Sequence, residues 1–297
     1  MFERPTIAST HDVPVNKRME LVTPALNQLA IEDARYEQLK SDVGEGGRWD
    51  SSLQMQGERL KQKREDIKNI DKLLEKREKG ESFTKEELAF IYEVHSPIRG
   101  ASREMTAELI KERDVKEDIA FTLDISKEEV STTREEALGG EILFHYGDLD
   151  LSDITTAENL VLPRATNGGI NLVNLVSGDN LVLPEYVGGD INLRRLSTAK
   201  NLVFPKHVGG SLGLSLTSVE GLTLPETVGG DLYLSKLPTA KDLVLPRSIG
   251  KNLLLTGLVS GDDLVLPQMV GGQVRLNSGN VGFSDIERRY PKLLIIG

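Results

Sequence analysis

The chain of 297 residues contains no cysteine. A disulfide framework, a thiolate metal site and a cysteine nucleophile are therefore excluded, and with them several enzyme classes. Long apolar runs are also missing: no stretch approaches the 18 or so consecutive apolar residues of a membrane span. The start, MFERPTIASTHDVPVNKRM, lacks the apolar core of a signal peptide, so the expected location is cytoplasmic, with export by a signal-peptide-independent route still open. Basic residues are in deficit, with 36 Lys and Arg against 46 Asp and Glu and a net charge of −10. Nucleic acid needs a concentrated Lys/Arg surface and is not an expected partner. A hydrophobic content of 38% suffices for a packed core.

Charge density drops near Gly139-Gly140, which divides the chain into residues 1–138 and 139–297. The first part reads as a small helical domain behind a flexible N-terminus. After Pro24, Leu26, Leu29, Tyr36 and Leu39 fall near helical spacing, up to a glycine-rich break at Val43-Gly-Glu-Gly-Gly-Arg-Trp49. Leu53, Leu60, Ile67 and Leu74 then recur every seven residues, with Ile70 between them, while Glu58, Lys61, Lys63, Arg64, Glu65 and Asp66 fill the remaining surface. An antiparallel helical hairpin follows from this spacing. Thr84-Lys-Glu-Glu87 is a capping box before Leu88-Ala-Phe-Ile91, and Ser102–Ile110 and Ser126–Ala137 read as further short helices.

The second part is a repeat. Pro163, Pro184, Pro205, Pro225, Pro246 and Pro267 each end a Leu-x-Leu or Leu-x-Phe segment and lie 21 residues apart, once 20. A second set, Leu149/Leu151, Ile170/Leu172, Ile191/Leu193, Leu212/Leu214, Leu232/Leu234, Leu253/Leu255 and Val274/Leu276, runs in step with the first. The expected fold class is α+β: helices followed by a β-solenoid, or leucine-rich-repeat-like stack, of about seven coils with two short parallel strands each. Alternation places the leucines inside, and proline, lacking an N–H, marks where a strand ends. Glycine pairs such as Gly188-Gly189 and Gly209-Gly210 are expected to supply positive φ at a corner. Small residues at Ala157, Gly178, Ala199, Ala240 and Gly261 are assigned to a second, tight corner. One coil buries too little to offset its own ordering, so stacking is obligatory and the end coils need caps. The helical half is placed at the N-terminal end, and the segment from about residue 280, with Ser284–Tyr290 and an apolar tail, at the other.

Leu222-Thr-Leu-Pro-Glu-Thr-Val228 and Leu243-Val-Leu-Pro-Arg-Ser-Ile249 resemble the strand-turn part of the BspA-like leucine-rich repeats of bacterial surface and secreted proteins. The resemblance covers the C-terminal half. Where that family continues with Ile-Gly, Ala-Phe and often Cys, this chain has Gly-Gly-x-Leu-x-Leu-x-x-Leu and a shorter period. Adhesion and host contact are what the resemblance implies.

The outward positions are the candidate binding residues. Before each proline these are Val161, Val182, Val203, Thr223, Val244 and Val265, a β-branched stripe suited to a protein partner or a second copy. Asn171, Asn192, Tyr233 and Arg275 belong to a polar row on the other strand. No catalytic residue, metal site or cofactor is assigned, because His11, His95, His145 and His207 are scattered without ligand spacing. Glu93, His95, Ser96 and Arg99 lie close in sequence without the long-range geometry of a triad. The expected function is a non-enzymatic interaction or scaffolding module. A secreted bacterial effector that uses the solenoid to recognise its target and a self-assembling structural protein are the alternatives.

Overall fold

A computed structural model describes residues 15–43, 50–219, 221–277, 282–291 and 293–296; His11 and most of the glycine-rich break lie outside them. Helices α1 (Val15–Val43) and α2 (Asp50–Glu78) form the antiparallel hairpin. Arg18 meets Asp71 at 2.6 Å and Lys63 meets Glu32 at 2.5 Å, which fixes the direction of pairing. The whole heptad row of α2 is buried, together with Ile70 and Leu73. Its partner row on α1 differs from the expected one: Val22 and Leu29 are buried, whereas Leu26 and Leu39 are exposed. Pro24 lies inside α1. It costs the helix one main-chain hydrogen bond, and the packing of Val22 and Leu29 on either side holds the helix across it.

A second heptad row on α2 is polar. Ser52 Oγ donates to the Gly271 carbonyl at 2.8 Å, Arg59 Nη2 donates to the Gly229 carbonyl at 2.9 Å, and Asp66 Oδ2 accepts from the Arg99 N–H at 2.7 Å. Asp66, expected on the surface, is 2% exposed because it anchors the loop after the next helix.

That helix, α3 (Lys85–Ile91), carries the capping box: the Glu87 N–H donates to Thr84 Oγ1 and the Thr84 N–H to the Glu87 carboxylate. Helices α4 (Arg103–Ile110) and α5 (Val115–Leu123) follow. The segment expected as one helix over Ser126–Ala137 is broken. It forms a 3₁₀ turn, a strand at Val130–Ser131 and α6 (Arg134–Ala137), because Val130 and Ser131 pair in parallel with Phe144 and His145 of the first coil.

Seven coils each give one strand to each of two parallel sheets. The second sheet uses the Leu-x-Leu segments after the glycines, from Leu149–Asp150 to Gln273–Leu276. The first sheet corrects the expected strand position. Its strands are two-residue segments at the glycine corner, such as Tyr186–Val187, His207–Val208 and Ser248–Ile249, not the Leu-x-Leu segments before proline. Those segments form a third side, where Val182–Val203 is the one bridge among the described residues. Each run ends in proline, which has no N–H to offer the next coil. The 20-residue coil drops one residue between Leu214 and Leu216, and the pairs Thr227–His207 and Leu232–Leu212 keep their register.

The glycine pairs also do something other than expected. None has positive φ. A Cβ on Gly188 would lie 2.3 Å from the Asn167 carbonyl oxygen, and one on Gly209 would lie 2.2 Å from that of Gly188. Successive coils approach so closely there that no side chain fits. The left-handed corners fall instead at Asn159, Asn180, Asn201, Gly221, Asp242 and Asp263, four residues before each proline, residue types whose short side chains tolerate that region.

The apolar interior is covered at both ends. Phe144 and Ala165, facing outward from the first sheet, pack into the helical core. At the other end α7 (Phe283–Arg289) leads into Leu294–Ile296, which adds a strand to the second sheet beyond Gln273–Leu276. The helical half does more than cap, since α2 runs along the outer face of the first sheet as far as the seventh coil.

Gly209→Ala is expected to destabilise the protein by on the order of 2–4 kcal/mol, since the backbone must shift to admit the methyl group. Gly140→Ala, with nothing within 4 Å of the added carbon, is expected to change stability by less than about 0.5 kcal/mol. Urea denaturation of the two variants beside the wild type checks both.

Candidate functional site

Each coil has three sides with different surroundings. On the third side the alternation behaves as the sequence implies. Leu181 and Leu183, for example, point inward, and the residue between them points out. Val161, Val182, Val203, Val244 and Val265 are 49–76% exposed, and Thr223 continues the row as an exposed residue. Exposed Val176 and Val259 flank it at the neighbouring corner. The sequence reading missed these two because they follow the inward Leu175 and Leu258 at a turn and not in a strand.

The polar row of the second sheet is occupied by its own neighbours. Asn171 Nδ2 donates to Asp150 Oδ1 at 3.0 Å, and Asn192 Nδ2 donates to Asn171 Oδ1 at 3.1 Å. Gly213 ends this amide series, which leaves the buried Asn192 Oδ1 without a partner among the described residues. Arg194 lies 4.4 Å from the Tyr233 ring centroid, and its side chain fills the place where a Gly213 Cβ would sit. Arg275 donates twice to Gln273 Oε1, at 3.1 and 3.3 Å. All four residues therefore carry internal contacts, and those of Asn171 and Asn192 join one coil to the next.

Two of the cavities beside α2 also reach the repeat half. One, of about 490 Å³, lies between α2, the loop at residues 95–99 and the first sheet, with Arg59, His95, Arg99, Tyr186 and His207 among its lining. The other, of about 410 Å³, lies between α1, α2 and Lys251, with Arg35, Tyr36, Arg59 and Arg99 in its wall. Arg59 and Arg99 border both. Sequence reading did not bring these residues together because they meet only once α2 lies on the sheet. A readable signal existed in the polar heptad row Ser52, Arg59 and Asp66 beside the apolar one.

The residues near His95 do come to one turn, and their bonds point elsewhere. The Glu93 carboxylate accepts from the Ile98 N–H at 2.6 Å, and burial raises its pKa. His95 and Ser96 are exposed. His207 Nδ1 lies 2.9 Å from Thr227 Oγ1 on the adjacent coil. Among the described residues no group of three or more His, Asp or Glu is arranged to hold a metal ion. None of the described helices is long and apolar enough to cross a membrane.

His145 is unlike the other histidines. It is 1% exposed, its Nδ1 lies 2.9 Å from Ser131 Oγ, and its Nε2 has no partner among the described residues. It occupies the inward row that later coils fill with Val187, Val208, Val228, Ile249 and Val270. Burial holds its pKa below the ordinary 6.5.

No protein-family model matches the chain, and no curated protein or solved structure matches it either.

The unfolded chain takes up a proton at His145 near its ordinary pKa, and the folded chain resists. Stability should therefore be full above about pH 6.5 and fall as the pH drops below it. Thermal unfolding between pH 5 and 8 measures this slope. In the double variant Ser131→Ala/His145→Val, the part of the slope due to His145 should vanish.

Proposed function

We propose that this protein is a non-enzymatic interaction or scaffolding module whose valine side docks a protein surface. The observation that carries the reading is the row of five valines, each 49–76% exposed, on the one coil side that neither helices nor an amide series occupies. Six coils repeat this outward β-branched position, valine in five and threonine in one, at intervals of about 4.8 Å, which gives a contact strip some 25 Å long. Contiguous exposed apolar strips of this kind mark docking surfaces. The resemblance of the coils to BspA-like repeats fits an adhesive role. The helical half and α7 cover the apolar interior at the two ends, which favours the valine side for any self-association.

The triple variant Val182→Lys/Val203→Lys/Val244→Lys tests the reading, because it changes only exposed positions and should leave the unfolding midpoint nearly unchanged. Light scattering over a wide concentration range, with wild type and variant side by side, reads self-docking. Affinity capture from the source cells, compared between the two, reads docking to another protein. A complex of either kind that is present with wild type and at least about tenfold depleted with the folded variant is the expected result. A monomer with the same captured set for both chains would overturn the proposal.

A further inference from the structure

Several arginines of the helical half face a carboxylate: Arg18 meets Asp71, Arg64 meets Asp33, Arg113 meets Asp118 and Arg134 meets Asp153. Arg59 and Arg99 do not. Both are half-buried, neither forms an ion pair among the described residues, and the hydrogen bond made by the Arg59 guanidinium goes to the neutral Gly229 carbonyl. Burial, and after it the positive charge of Arg99, pulls the Arg59 guanidinium below its ordinary range. Two cations held near each other away from water are costly unless an anion joins them.

More positive charge converges on the same cleft of about 410 Å³. Arg35 reaches it from α1 and Lys251 from the sixth coil, both exposed and without an ion pair among the described residues. Lys63 also lines it, and Glu32 neutralises that ammonium at 2.5 Å. Four cations without an ion pair among the described residues thus come from four separate segments of a chain whose net charge is −10.

The cleft is built to hold them. Asp66 accepts from the Arg99 N–H, and Glu93 accepts from the Ile98 N–H. Gly100, at φ +83, brings the chain within contact of α2, where a Cβ would lie 3.2 Å from Lys63 Cβ. The backbone that carries Arg99 is fixed, while its guanidinium takes no part in the fixing. Tyr36, Leu39 and Leu60 supply an apolar wall beside the charges.

We propose that this cleft binds a small phosphate-bearing anion, gripped by Arg59 and Arg99 and flanked by Arg35 and Lys251. Guanidinium forks and an ammonium converging from several directions suit a multiply charged anion with several acceptor oxygens. The volume falls in the range of small-ligand pockets, and the chain's net charge of −10 disfavours a long polyanion. This site is separate from the valine side and does not depend on it.

Titration calorimetry of the full chain with inorganic pyrophosphate tests the proposal. One saturable site is expected, weakening as salt is raised. Arg99→Gln/Lys251→Gln should weaken it at least about tenfold with the urea midpoint preserved, and Arg275→Gln on the second sheet should leave it unchanged. Absence of saturable heat, or equal affinity in the double variant, would overturn the site. Tighter binding of a decaglutamate peptide or a single-stranded oligonucleotide than of pyrophosphate would overturn the assignment to a small ligand.

Discussion

Everything in the C-terminal half follows from one demand: main-chain groups must find their partners one coil away. The Gly209 N–H donates to the Val187 carbonyl at 2.9 Å, and the Leu149 N–H to that of Gly169 at 2.8 Å. A coil is therefore bound to others at a fixed offset in sequence, and any residue that holds coils apart breaks the series. Glycine pairs occur because the backbones nearly touch at that corner. Side chains obey the same spacing. Asp190 Oδ1 accepts from the Ser211 N–H and Asp231 Oδ1 from the Asn252 N–H, so carboxylates complete main-chain bonding where the strands turn.

Much of this was readable. The proline period, the inward leucines, the heptad of α2 and the capping box at Thr84 each report a local rule that the folded chain keeps. Where reading failed, a distant partner decided the outcome. Val130 and Ser131 look helical beside Ser126-Lys-Glu-Glu129, yet the first coil recruits them as a strand. Positive φ was assigned to the glycines because glycine is the usual left-handed residue, whereas Asn and Asp take that position and glycine supplies room. Leu26 and Leu39 fit a helical stripe but stay exposed. The arginine cleft left no trace in local sequence apart from the polar heptad on α2, since its members are contributed by α1, α2, a loop and a coil.

The three sides of the coil divide the work of the molecule. The first sheet carries the helical half, and the second engages its polar groups in internal bonds. On the third side, the exposed valines satisfy no internal requirement. This division also explains why the binding residues chosen from sequence separate so cleanly: the valines stay available, while Asn171, Asn192, Tyr233 and Arg275 are engaged.

Helix α2 meets the stack at Arg59 on the fifth coil and at Ser52 on the seventh. Seven helical residues rise about 10.5 Å, and two coil steps advance about 9.6 Å, so the two periodicities run nearly commensurate over this stretch. Open repeat arrays gain and lose units by duplication and deletion with little penalty, since each unit touches only its neighbours. Here a helix encoded far upstream gauges the stack. A coil inserted between those two contacts would displace one of them by a full step, which ties the number of coils over that stretch to the length of a helix.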